Sequence, residues 1–218
     1  MLKKLLSSLL PLFAASCDRH QEKLAEVTLM DPNKILFSLA TICDPIPTTQ
    51  SGIPVGTSKL LHEDDWRQIE FVPVANKEYI QAKLLELAAF KKTHQKDIGF
   101  TKIFVRPEHP TTFASTDYKL EQLPRLTECS LSLGGNVVTG GFARFDGEGW
   151  FIYGQQSADG RVVHLALSPD SGSRLSDALV SAIIETTRSD FMLIDWYAAA
   201  LVDTSSPQSV RNWARRFK

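Results

Sequence analysis

The sequence predicts a single α+β domain in which a central antiparallel β-meander is flanked by about three helices. The first observation is the length of 218 residues, which is ordinary for one domain and sufficient to bury a core. The second is the composition, with 43% hydrophobic and 22% charged residues, which excludes a disordered chain. The third is a series of short apolar runs between residues 126 and 168, separated by Gly-containing turns, as in consecutive antiparallel strands.

Charge and hydropathy exclude two further classes of protein. The formal net charge is -1, whereas a nucleic-acid-binding domain usually carries a strongly basic face. The sequence contains no run of about 18 or more apolar residues, which is what an ordinary transmembrane helix requires. We therefore expect no nucleic-acid partner and no membrane-spanning helix.

A strand–helix–strand unit is predicted ahead of the meander. Residues 66–74 are rich in Ile, Phe and Val, which favours a strand. Asn76 is a candidate N-cap for a helix, because its side chain can accept from a free backbone N–H. The apolar stripe of that helix consists of Ile80, Leu84, Leu87 and Ala88. A second strand is predicted over 100–106.

The meander is predicted from its turns. Asp146-Gly147 and Asp159-Gly160 tolerate the positive φ of hairpin turns, and they separate the apolar runs 150–156 and 161–168. The preceding strands are predicted over 126–133 and 137–145. The second of these contains Gly140-Gly141, and a glycine pair inside a strand indicates a bulge or a close approach of another backbone.

The C-terminal third alternates helix and strand. Ser171 or Ser173 can cap a helix that runs to about residue 188. The strongly apolar run 191–196 predicts a central strand. Ser206-Pro207 places Ser at the N-cap and Pro at the first position of a last helix, which is a specific start signal.

Residues 1–17 have the organisation of an export signal. Lys3 and Lys4 are followed by an apolar segment and then by Ala14-Ala15-Ser16-Cys17. This segment resembles the signal and lipobox of bacterial lipoproteins, although Ala14 stands where Leu is commonest. The resemblance covers these 17 residues only. It implies lipidation of the Cys17 thiol, cleavage before Cys17, and a protein anchored in the cell envelope and facing the periplasm.

An amphipathic helix is the alternative interpretation of the same residues. Apolar side chains recur at helical spacing, at Leu2, Leu5, Leu6, Leu9, Leu10 and Phe13. Pro11 would lie inside that helix, where proline costs about 3 kcal/mol. Under this alternative the protein is cytoplasmic and keeps Met1.

The expected domain organisation follows from the signal. Residues 18–58 form an anchor-proximal segment that ends in a linker rich in Pro and Gly, and residues 59–218 form the α+β domain. With Cys17 lipidated, Cys43 and Cys129 remain. They either form a disulfide, which an oxidising compartment permits, or are two small buried side chains.

The sequence contains none of the common catalytic or cofactor motifs. It has no Gly-rich phosphate loop and no G-x-S-x-G nucleophile elbow, so we expect no cofactor and lean against an enzyme. The segment His62-Glu63-Asp64-Asp65 superficially resembles a zinc motif. Trp66 occupies the place of the second histidine, and we therefore predict an exposed acidic turn and no metal.

A partner-binding surface is the remaining candidate site. Aromatic and Arg side chains dominate binding energetics at interfaces, and several of them occur in the meander and its neighbouring turns. With the acidic turn, the candidate residues are His62, Glu63, Asp64, Asp65, Trp66, Arg67, Arg144, Trp150 and Tyr153. The alternative is a sheet that helices cover on both faces, which buries the aromatic side chains.

These observations favour a non-enzymatic, membrane-anchored lipoprotein that binds a toxin or an envelope protein. Segments 66–71 and 192–196 bear a loose similarity to bacterial immunity-type proteins, which neutralise antibacterial toxins, but they carry no defined motif. One alternative is an envelope hydrolase with its catalytic groups converging near Gly140-Gly141 in a polar pocket. The other is the cytoplasmic protein with an N-terminal amphipathic helix.

Overall fold

The fold is built on a large antiparallel sheet, in a computed structural model that describes residues 34–52, 56–170, 174–188 and 190–217. Leu36–Lys218 forms one compact unit. The strands are β1 Thr41–Cys43, β2 Thr49–Gln50, β3 Ser58–Leu61, β4 Ile69–Pro73, β5 Gln95–Lys96, β6 Gly99–Phe100, β7 Phe104–Arg106, β8 Thr127–Leu133, β9 Asn136–Val138, β10 Gly141–Phe145, β11 Trp150–Gln156, β12 Val162–Pro169, β13 Phe191–Asp195 and β14 Ala200–Leu201. The helices are α1 Lys77–His94, α2 Asp177–Arg188 and α3 Pro207–Ala214.

Ten of the described strands form the main sheet, in the order β14-β13-β4-β12-β11-β10-β8-β9-β2, with β3 added parallel to β8. The neighbours along the path are antiparallel. The predicted α+β class and the antiparallel meander are therefore confirmed. The apolar strand β13 is second from one edge, not central as predicted, because the short β14 continues the sheet beyond it.

The predicted strand 137–145 is two strands, β9 and β10, separated at the glycine pair. Gly140 has φ +66°, and a Cβ there would collide with the carbonyl oxygen of Gln156. The close backbone approach predicted from the glycine pair is thus confirmed. The predicted strand 100–106 is also divided, and its second part, β7, pairs with β1 in a separate two-stranded sheet.

Helices cover both faces of the main sheet. Alternate residues of β4 face opposite ways, so that Ile69 and Phe71 join the core that includes residues of α2 and α3, while Val72 packs with residues of α1. A third cluster of buried side chains gathers around Trp66, Leu131 and Tyr153. The structure therefore has the alternative arrangement, in which helices cover the sheet on both faces.

Helix starts follow local hydrogen bonding. Ser206 Oγ accepts from the backbone N–H of Ser209, and Pro207 is the first residue of α3, as predicted. Ser176 Oγ accepts from the N–H of Leu179 at the start of α2. The predicted caps Ser171 and Ser173 lie outside the described residues. Asn76 makes no cap bond, because its amide exchanges two hydrogen bonds with the backbone of Thr111.

The segment predicted as a linker contributes to the folded unit. Within residues 18–58, β1 pairs with β7 and β2 pairs with β9 at the end of the main sheet. The lipobox and Cys17 lie outside the described residues. In the described part of the chain, no helix has the length and apolar character that crossing a membrane requires.

Candidate functional site

The predicted aromatic binding face lies in the interior. Trp66, Trp150 and Tyr153 are each 0% exposed, and Arg67 is 3% exposed. These four side chains cannot contact a partner in the folded protein, so this part of the predicted surface is wrong. Trp150 belongs to the core that includes residues of α2 and α3, whereas Trp66 and Tyr153 are buried in the cluster with Leu61 and Leu131, which contains no helix residue. Arg144 is half-buried and donates to the carbonyl oxygens of Leu123 and Pro124, which fastens the loop before β8.

A buried cluster of charged side chains, Arg67, Glu70, Arg106 and His109, is centred on Glu70. Glu70 is the second residue of β4 and is 1% exposed. Its Oε2 accepts from Arg67 Nε at 2.7 Å. Its Oε1 accepts from Arg106 Nη1 at 2.9 Å and from Trp196 Nε1 at 2.8 Å, and lies 2.9 Å from His109 Nε2. Burial alone would disfavour the charged form, but Arg67, Arg106 and His109 hold the pKa of Glu70 well below its ordinary value.

The two arginines of the cluster are also fixed by neutral groups. The Arg106 guanidinium lies 4.4 Å from the centre of the Trp196 ring, and Nη2 donates to the carbonyl oxygen of Arg67 at 2.6 Å. Arg67 has φ 57°, a left-handed conformation that is uncommon outside glycine. Its backbone N–H donates to Tyr153 Oη at 2.8 Å. The strained backbone is therefore held by partners on both sides.

Glu108 and His164 form the outer edge of the cluster. Arg67 Nη1 donates to both carboxylate oxygens of Glu108 at 3.0 Å, and the Glu108 side chain is 28% exposed. His164 Nε2 lies 3.9 Å from Glu108 Oε2. Burial, and then the positive charge of Arg67, lower the pKa of His164 to about 4. Burial opposes ionisation of Glu108, but Arg67 and His164 hold its pKa below the ordinary value.

Stability is expected to fall with acid as a result of His164. Its ordinary pKa of 6.5 applies in the unfolded chain, and about 4 applies in the folded protein. Between pH 6.5 and pH 4 the His164 imidazole is protonated in the unfolded chain but neutral in the folded protein, which favours unfolding. The folded protein therefore has its full stability above pH 6.5 and loses stability as the pH falls towards 4. The loss amounts to about 3 kcal/mol.

Urea unfolding at a series of pH values between 4 and 7 measures how steeply the free energy of unfolding changes with pH. His164→Gln should make the free energy of unfolding less dependent on pH. His62→Gln, at an exposed histidine, should leave that dependence unchanged. An equal slope in wild type and His164→Gln would contradict the assignment.

The acidic turn, residues 62–65, is the part of the predicted surface that reaches solvent. Glu63–Asp65 form a short 3₁₀ helix, and His62 Nδ1 accepts from the N–H of Asp64. The side chain of His62 is 72% exposed and that of Asp64 is 40% exposed. Glu63 is also exposed. The predicted exposed acidic turn is therefore present.

Buried side chains fix the backbone of the acidic turn from below. Gln68 Nε2 donates to the carbonyl oxygen of Asp64 at 2.7 Å, and Tyr153 Oη donates to that of Asp65 at 3.3 Å. Tyr197 Oη donates to Asp65 Oδ1 at 3.3 Å. The turn thus presents the exposed carboxylate of Glu63 and the partly exposed carboxylate of Asp64 from a backbone that is hydrogen-bonded to the interior.

The two cysteines of the folded unit are free thiols. Cys43 is buried, and burial raises the pKa of its thiol. Cys129 is half-buried, and its Sγ lies 3.5 Å from the carbonyl oxygen of Thr127. The two thiols are therefore not joined in a disulfide, and of the alternative, two small buried side chains, Cys43 alone fits.

Gly140 of the glycine pair lines a cleft whose lining has no acidic side chain and no histidine. The cleft has a volume of about 550 Å³ and is lined by Gly140 together with Thr139, Gln155, Gln156, Ser157, Ala158 and Gly160. None of these residues is His, Asp or Glu. The lining of this cleft therefore does not supply the His or carboxylate that the hydrolase alternative predicts there.

The described ranges also hold no group of three or more His, Cys, Asp or Glu side chains that could bind a metal ion. Four residues of the buried cluster were not among the site residues predicted from the sequence: Glu70, Arg106, Glu108 and His109. One pattern in the sequence could have indicated Glu70, namely a charged residue inside an apolar strand, Ile69-Glu70-Phe71.

No family model, no curated protein and no solved structure matches the chain.

Proposed function

We propose that the protein is a non-enzymatic, membrane-anchored lipoprotein that binds a protein partner, and that the partner is an antibacterial toxin. In this proposal the lipobox supplies the anchor through Cys17, and the folded unit supplies the binding surface in the periplasm. Lipid anchoring needs no spanning helix, because a diacylated cysteine with a further acyl chain binds membranes stably.

The observation that carries the proposal is the anchored acidic turn. Glu63 is exposed and the Asp64 side chain is 40% exposed, while the backbone of the turn is held by Gln68 and Tyr153. A preorganised surface loses little conformational entropy on binding. Two adjacent carboxylates on it favour a partner with a basic face and accelerate the encounter with that partner.

The distribution of charge elsewhere supports binding over catalysis. Arg67, Glu70 and Arg106 are almost fully buried and pair with one another, which favours a structural role over contact with a substrate. Glu108 is the more exposed acid of the cluster, and Arg67 already occupies both of its oxygens.

The experiment uses the full chain purified in detergent from membranes of its native cells. Its intact mass should correspond to a chain that begins at acylated Cys17. The partner tested is a secreted protein encoded next to the gene, with association rates measured by surface plasmon resonance at low and high salt. An unmodified chain beginning at Met1 would contradict the anchor, and a neighbouring metabolic operon would favour an enzyme.

A matched pair of variants tests the binding surface. Glu63→Gln with Asp64→Asn should slow association about tenfold at low salt, and the difference should shrink at high salt. Asp97→Asn with Glu121→Gln removes two exposed carboxylates from other elements and should leave the rate unchanged. Equal rates for the two double variants would overturn the role of the acidic turn.

A further inference from the structure

A cleft of about 630 Å³ lies where β4 ends and β13 begins. Pro73, the last residue of β4, pairs with Phe191, the first residue of β13, and both line the cleft. The segment 115–118 lines it as well, and the rings of Tyr118 and Phe191 are in contact, with their centroids 5.6 Å apart. The volume is in the range of about 300–1,000 Å³ that is typical of small-molecule sites.

Two exposed carboxylates, those of Asp117 and Asp190, belong to the lining of this cleft. Asp117 directly precedes Tyr118, and Asp190 directly precedes Phe191, so the contact between the two rings keeps both acids at the same cleft. In the described part of the chain, neither carboxylate has a hydrogen-bond or ion-pair partner. The lining contains no Lys, Arg or His. The cleft therefore carries negative charge that its own walls do not balance.

Hydroxyl groups of the same lining are also oriented as acceptors. Ser115 Oγ donates to the carbonyl oxygen of Thr112, and Thr116 Oγ1 donates to that of Phe113, each at 2.7 Å. Each hydroxyl has a single hydrogen, which these bonds use, so only lone pairs remain for a ligand. Together with the two carboxylates, this favours a ligand that is positively charged and rich in hydrogen-bond donors.

The walls of the cleft are fixed by hydrogen bonds to neighbouring elements. Asp190 has φ 67°, and its carbonyl oxygen accepts from the backbone N–H of Val74 at 2.8 Å. The backbone of Thr111 exchanges two hydrogen bonds with the amide of Asn76, which is 2% exposed. A site whose walls are already ordered loses little conformational entropy when it binds a ligand.

We propose that this cleft binds an aliphatic diamine. One ammonium group donates to the Asp117 carboxylate and the other to the Asp190 carboxylate, in charge-assisted hydrogen bonds. The hydroxyl oxygens of Ser115 and Thr116 accept further ammonium hydrogens. The methylene chain between the two ammonium groups packs on Val74, an apolar side chain of the lining that is 43% exposed. This site is independent of the proposed protein partner.

The test is equilibrium dialysis of the full chain against radiolabelled 1,4-diaminobutane in about 0.15 M salt, where charges far apart on the surface are largely screened. One molecule should bind per chain. Butylamine keeps a single ammonium group and 1,4-butanediol keeps none, so each should displace the label only at a concentration at least about tenfold higher than unlabelled diamine.

Three outcomes of the dialysis would overturn the proposal. Displacement by butylamine as effective as that by the diamine would show that one carboxylate suffices. Displacement by Mg²⁺ at the same concentration would show unspecific attraction of cations. Binding of a lysine-rich peptide without binding of the diamine would assign the cleft to a segment of another protein.

Two variants locate the diamine at the two carboxylates. Asp117→Asn and Asp190→Asn should each weaken binding about tenfold. Asn keeps the shape of the side chain and tolerates the left-handed φ at position 190, so both variants should fold. Asp97→Asn, in the exposed turn between β5 and β6, is the matched control and should leave the affinity unchanged. Wild-type affinity in either Asp117→Asn or Asp190→Asn would contradict the site.

Discussion

Glu70→Gln is expected to lower the free energy of unfolding by about 3–5 kcal/mol, because it leaves buried positive charge without compensation. Arg67 and Arg106 both pair with this carboxylate, and neither side chain is more than 3% exposed. An amide keeps the shape of the carboxylate but replaces one of its two acceptors with a donor, which faces Arg67 or Arg106. Urea unfolding monitored by tryptophan fluorescence measures the loss.

Glu108→Gln is the control for that prediction. Glu108 is 28% exposed and pairs with Arg67 alone among the arginines of the cluster, so its loss should cost about 1–2 kcal/mol. If Glu70→Gln does not fold, the variant Arg67→Met, Glu70→Leu, Arg106→Met removes the three charges together. It should recover a folded protein, since coordinated apolar replacement of buried ion pairs is tolerated. Equal losses for Glu70→Gln and Glu108→Gln would contradict the central role of Glu70.

Gly154→Ala is expected to destabilise the protein by more than about 3 kcal/mol, beyond the usual cost of overpacking. Gly154 lies in β11 and pairs with Leu165 of β12. A Cβ at this position would collide with the carbonyl oxygen of His164 and would lie 3.0 Å from Phe142 Cζ. The colliding atom is backbone in the adjacent strand, so relief requires the two strands to separate in the middle of the main sheet.

Thermal unfolding of Gly154→Ala should show a melting temperature several degrees below that of the wild type. Gly52→Ala is the matched control, because a Cβ there meets only Val137 Cγ2, at an ordinary 3.5 Å. A melting temperature of Gly154→Ala equal to that of Gly52→Ala would show that the strands at this point are not as closely packed as the structure has them.

The parts of the fold that the sequence predicted correctly depend on neighbouring residues. The Asp-Gly turns define β11 and β12, and the Ser206-Pro207 pair defines the start of α3, through interactions within about four residues. The acidic turn was predicted for the same reason, since a run of charged side chains remains in solvent. These features follow from local chemistry and need no knowledge of the rest of the chain.

The buried cluster could not be predicted, because its contacts join distant positions. Glu70 is separated by 36 positions from Arg106, by 39 from His109 and by 126 from Trp196. The sequence pattern identified Trp66 and Tyr153 as aromatic residues of the meander and its turns, but whether their side chains are buried depends on contacts between distant segments. The placement of β7 beside β1, and not in the main sheet, is non-local in the same way.

The mutual dependence of Glu70 and its partners has an evolutionary consequence. A substitution at any one of these positions leaves the other buried groups without a partner. Change at these positions therefore requires several simultaneous replacements. Glu63 and Asp64 carry no such constraint, since only their backbone is tied to the interior. Selection can therefore diversify the acidic turn, for instance in a contest with a changing partner, while the inherited interior stays constant.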